Sequence, residues 1–122
     1  MSKIDWSKMI TREMKEAAAL ALVLAESKSQ LAQRNAVAAE QIARIQDRVD
    51  TLGYGVDAGV ASEEDEAELA GLTISLKSWK TYKFALGKVA TQPTWPAAPL
   101  WPPAPAIPDI AADPAALGLD TI

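Results

Sequence analysis

From Thr11 to Leu52 the chain has neither glycine nor proline and is rich in Ala, Leu, Glu, Gln, Lys and Arg, residues that lose little on entering a helix. The stretch predicts one long helix, with Gly53 as its stop signal. At 1.5 Å per residue it would extend on the order of 60 Å, too far for a compact domain of 122 residues. Such a helix needs a partner to bury its apolar side. A heptad frame places Met14, Ala21, Lys28, Asn35, Ile42 and Val49 at a, and Ala17, Leu24, Leu31, Ala38, Ile45 and Leu52 at d. Lys28 and Asn35 interrupt the seam, which either fixes register or marks a helix whose middle is half covered.

The partner follows in the sequence. Gly53 to Ala61, with three glycines, reads as a loop, with Tyr54 and Val56 tucked onto the helix ends. Ser62 is an N-cap, and the carboxylates Glu63, Glu64, Asp65, Glu66 and Glu68 suit a solvated first turn better than acid–base chemistry. A second helix over 63–90 then carries the stripe Leu69, Leu72, Leu76, Trp79 and Leu86, with Tyr82 and Val89 alongside. Folding back across the loop sets Ile45 near Leu69, Ile42 near Leu72, Ala38 near Leu76 and Asn35 near Trp79. It also brings Arg44 and Arg48 toward the acidic helix start. The expected fold is all-α: a lead-in over 1–10, a long antiparallel helical hairpin over 11–90, and an extended Trp/Pro-rich C-terminal segment over 91–122. The first helix outruns the second, so Leu20, Leu22 and Leu24 are candidates for self-association.

Composition removes several functions. Cys and His are both absent, which excludes disulfides, thiolate or imidazole metal sites and the commonest general base. No enzyme activity, cofactor or metal is expected. A net charge of −4 argues against general nucleic-acid binding, and Lys77, Lys80, Lys83 and Lys88 suit the C-terminal half of a helix. The apolar run Ala17–Ala25 is too short to span a bilayer, so no membrane association is expected. All eight prolines lie between Pro93 and Pro114, where the chain cannot continue a helix and is expected to be extended or polyproline-like. The stretch 109–122 reads as one helical turn around Ala111–Leu117 or as unstructured chain.

Trp79, Lys80, Tyr82, Lys83 and Leu86, followed by Trp95, Pro96 and Pro99, resemble the C-terminal signature of the phage tail fibre assembly proteins. Upstream, Gln46, Asp47, Val49 and Asp50, the acidic turn 62–66, and the alanine-rich entry from Ile10 are similar to further elements of that family in the same order. The resemblance covers roughly 10–103. Many members carry an additional N-terminal domain, whereas this chain is expected to start at the long helix; its loop looks longer than usual, and 104–122 extends past the signature.

The resemblance implies a non-enzymatic chaperone that binds the C-terminal part of a tail fibre and assists its folding and trimerisation. It would act in the bacterial cytoplasm during assembly of a phage or phage-like particle. Trp79, Tyr82, Trp95, Pro96, Pro99, Trp101 and Pro102 are the candidate partner-binding residues, because rigid aromatic and proline side chains bury much area at little entropic cost. Trp79 and Tyr82 also fall on the helix face expected to be core, and Trp95 could fold back to cap it. Two rival readings remain: a structural subunit retained at the fibre tip, and a proline-rich ligand for an aromatic-groove domain.

Overall fold

The computed structural model describes the backbone of residues 6–110 and the side chains of residues 11–110. These residues form an all-α domain of two helices with no strand: α1, Trp6–Asp57, and α2, Glu63–Leu86, followed by one 3-10 turn, Val89–Thr91. The turn expected around Ala111–Leu117 lies outside the described residues.

Helix α1 exceeds its expected bounds at both ends. It includes the lead-in from Trp6 and runs through Gly53 and Gly55 to Asp57, so Gly53 is not its stop signal. A glycine inside a helix costs about 1 kcal/mol relative to alanine and does not forbid the conformation. The stop is Gly59, the one residue of the junction with positive φ, at 72°. Its N–H donates to Val56 O at 3.1 Å, and Val60 N–H reaches back to Gly55 O at 3.0 Å, the two bonds of a Schellman closure. Tyr54 and Val56 therefore belong to the helix, and both are exposed rather than tucked in.

Only residues 58–62 remain as connection. Ser62 and Asp65 form a reciprocal cap: Asp65 N–H donates to Ser62 Oγ at 3.1 Å and Ser62 N–H to Asp65 Oδ2 at 2.9 Å, satisfying two donors that the helix start would otherwise leave unpaired. The far end of α2 stops at Leu86, short of Ala90. Pro93 bars Gln92 from helical geometry, and Gln92 is extended at ψ 144°. The 3-10 turn then swings Val89 fully into the core.

The helices touch in opposite sequence order. Arg48 grips Glu68 with two hydrogen bonds of 2.7 and 3.0 Å, and further along Lys83 Nζ donates to Asn35 Oδ1 at 3.4 Å. Ala38, Ile45 and Leu52 of α1 form one core with Leu72, Leu76, Trp79, Tyr82 and Leu86 of α2, while Leu31, Ile42, Val49 and Leu69 pack at the margin. Arg44 differs from expectation. Its guanidinium donates to Pro108 O at 2.8 Å and Gln41 Oε1 at 3.0 Å, because the proline-rich segment occupies its side of α1.

The two kinds of glycine give opposite predictions. Gly59→Ala forces an L-residue into the left-handed region and should lower stability by about 1–2 kcal/mol. Gly53→Ala, at a helical site with open space around the new methyl, should raise it by about 0.5–1 kcal/mol. Thermal unfolding followed by circular dichroism checks both signs.

Candidate functional site

The proline-rich segment has a period that matters to its packing. Pro93, Pro96, Pro99, Pro102, Pro105 and Pro108 recur at every third position. Polyproline II has three residues per turn, so this spacing sets one proline edge along the chain. All of these after Pro93 are half-buried, while most residues between them are exposed. The edge is turned to the chain's own helices.

The segment's path follows from its donors and acceptors. Proline contributes a carbonyl and no N–H, so the helices must supply donors. Ser27 Oγ donates to Pro96 O at 2.6 Å, Trp79 Nε1 to Ala106 O at 3.1 Å, and Arg44 to Pro108 O. From Ser27 to Arg44, α1 rises about 26 Å, and the chain from Pro96 to Pro108 covers it at about 2.1 Å per residue, less than the 3.1 Å of ideal polyproline II. The segment is therefore curved. Its first part, 93–97, is a turn rather than extended chain, with a cis Trp95–Pro96 peptide and a bond from Ala98 N–H to Thr94 O at 2.8 Å. The Gln92 amide closes the bend by pairing with both backbone groups of Leu100, at 2.7 and 2.8 Å.

The candidate residues divide into three groups. Trp79, only 1% exposed, and Tyr82 are core, their rings edge to face with centroids 5.5 Å apart. The face of α2 that carries them lies between α1 and the proline segment, so neither side chain is exposed, and Tyr82 reaches the surface as part of the lining of two grooves. Trp95 and Trp101 are half-buried and T-shaped to each other at 6.5 Å, and the Arg34 guanidinium lies 4.5 Å over Trp101, a cation–π contact. Pro96, Pro99 and Pro102 lie on the inward edge with them. Leu20 and Leu22 are about 70% exposed on a stretch of α1 that is exposed from residue 11 to Val23, and Leu24 is half-buried.

Sequence reasoning missed the polar flank of α1. Ser27, Arg34 and Gln41 stand seven apart, one position before the a residues, outside the apolar seam that the heptad frame marks. They form the bed for the proline segment, and both Ser27 and Gln41 are buried. The two matching signals were the heptad spacing of this flank and the three-residue spacing of the prolines.

Two grooves border Tyr82. One, of about 370 Å³, lies between α2 and the proline segment and is lined by Lys77, Ser78, Thr81, Tyr82, Ala85, Pro102, Pro103 and Pro105. The other, of about 570 Å³, is lined by Gln30, Gln33, Arg34 and Val37 of α1 together with Tyr82. The first, walled by Ala85, Tyr82 and prolines, suits apolar side chains of a polypeptide, and the second offers amide and guanidinium donors beside Tyr82. Among the described residues no group of His, Cys, Asp or Glu could hold a metal ion, and no helix is long and apolar enough to cross a membrane. Compared with protein-family models, curated proteins and solved structures, the chain matches none.

Charge is concentrated near the junction. The hydrogen bonds from Arg48 hold the Glu68 carboxyl below its ordinary range, and the cap bonds from Ser62 do the same for Asp65. A depressed carboxylate contributes stability above its unfolded pKa and loses it as pH falls through the folded one. Glu68→Gln should therefore be less stable than the natural protein at neutral pH, and the gap should close on acidification below about pH 4; urea midpoints across pH measure it. For the proline segment, Ser27→Ala with Arg34→Ala should speed chymotryptic cleavage after Leu100 at least about threefold while helical circular dichroism persists.

Proposed function

We propose that the chain is a tail fibre assembly chaperone that binds the C-terminal region of a phage or phage-like tail fibre and promotes its trimerisation. It is a long antiparallel helical hairpin with a Trp/Pro-rich arm laid along it, works without enzymatic chemistry, and acts in the host cytoplasm during particle assembly. One observation carries the reading. The two elements of the resemblance, Trp79–Lys83 and Trp95–Pro99, each set aromatic side chains on one core, bordered by the two grooves beside Tyr82.

Tyr82 lines both grooves, and the outer rim supplies the contact. Leu100 and Ile107 are exposed along the arm, next to Pro103. Unassembled fibre chains expose apolar surface and open strand edges, and a preformed apolar groove shields such side chains at little ordering cost. Leu20, Leu22 and Leu24 add a second contact for another chain on the first turns of α1. That exposed apolar stretch also favours a second reading, a coiled-coil subunit retained at the fibre tip, whose mark would be stoichiometric presence in purified particles.

The test is co-expression of the fibre with and without this chain, scoring soluble trimer and co-elution. Soluble trimer that depends on this protein is expected. Ser78→Arg, which fills the groove from an exposed helical position, should reduce the yield several-fold with unchanged circular dichroism. A fibre that trimerises equally well alone and never co-elutes would overturn the proposal.

A further inference from the structure

The face of α2 turned away from α1 carries a charge pattern that the fold leaves unused. Glu63, Glu66, Ala70, Thr73, Lys77 and Lys80 are spaced alternately three and four apart and so share one stripe. All are exposed. The cap uses Asp65 and the inter-helix ion pair uses Glu68, while the four charged members of the stripe have no partner among the described residues. The stripe is acidic at one end, small in the middle and basic at the other.

From this bipolar pattern we infer that α2 pairs with α2 of a second copy of the chain, antiparallel about a two-fold axis crossing between Gly71 and Leu72. This surface meets the grooves assigned to the fibre only at Lys77, on the rim of one of them, and the inference stands without that assignment. In this register Glu63 faces the partner's Lys80, Glu66 faces the partner's Lys77, and Ala70 faces the partner's Thr73, each contact repeated by the two-fold as an isologous interface requires. The small central residues let the helices approach. Ala70 is a single methyl group, and the Thr73 hydroxyl is already bonded to Leu69 O at 2.7 Å, so the middle of the seam asks for no polar partner.

The ends of the seam agree with its centre. Phe84 continues the same spacing and is 69% exposed, with only the Lys88 ammonium over its ring at 5.3 Å. In the antiparallel register Phe84 reaches the partner's turn at Gly59, beside Val60, which is 77% exposed. Parallel pairing would set glutamate on glutamate and lysine on lysine. An acidic partner would satisfy only the basic half.

Two variants test the register. Glu63→Lys with Glu66→Lys makes the stripe uniformly basic, and Lys77→Glu with Lys80→Glu makes it uniformly acidic. Sedimentation should find the natural protein dimeric, with a dissociation constant that rises with salt, and each variant at least about tenfold weaker in self-association. Mixing the two variants should restore a dimer, because every facing pair is then opposite in charge, and a variant that had merely misfolded could not be rescued this way. The absence of cysteine permits a second readout: mixed Ala70→Cys and Thr73→Cys chains should form a disulfide-linked dimer on oxidation. A monomeric natural protein, variants that still self-associate, or a mixture that fails to pair would overturn the inference.

Discussion

A backbone rich in proline carries acceptors in excess of donors, and the architecture follows from where those acceptors are satisfied. Two helices alone leave one side of their shared apolar face open. The segment after α2 covers that side, and it remains there because α1 and α2 each extend a donor to it. Ser27 and Arg44 reach from α1, and the Trp79 indole reaches from the middle of the core. Trp79 thus has two roles: its rings fill the space between the helices, and its N–H ties the third element to them.

Much of this was legible in the sequence. The glycine- and proline-free run, the Ser62 cap and the three-and-four stripe of α2 led to two helices of nearly the observed extent, because each signal is local. The misses have physical causes. Gly53 and Gly55 were read as breakers, whereas a helix tolerates glycine if something beyond supplies the left-handed residue, and Gly59 does. Ser27 and Gln41 carry no signal in a heptad frame, which considers only helical partners. A polar flank is the right surface for an acceptor-rich chain. Trp79 and Tyr82 were offered as contact residues through a resemblance that is silent on burial, while their spacing already placed them inside.

Helix α2 has three working sides. One buries Leu72, Leu76, Trp79 and Leu86 against α1; one forms a wall of the groove beside the proline segment; the third displays Glu63, Glu66, Lys77 and Lys80. A helix so divided leaves few positions free to vary, and in the proposed roles a fibre and a second copy would approach from different directions. The groove depends on the inward proline edge, so the core and the proposed contact surface rise and fall together. Helix α1 differs. Its first turns add exposed apolar residues without adding to the core, so they can change without disturbing the grooves.

The three-residue spacing of the prolines has a consequence for neighbours. In an extended chain the N–H groups alternate between the two edges with a period of two. A missing donor at every third residue therefore interrupts both edges in turn, and neither presents an unbroken ladder. A strand from an unfinished chain finds no template along this arm. In the proposed role beside unpaired strands, the arm would hold their side chains without being drawn into their sheet.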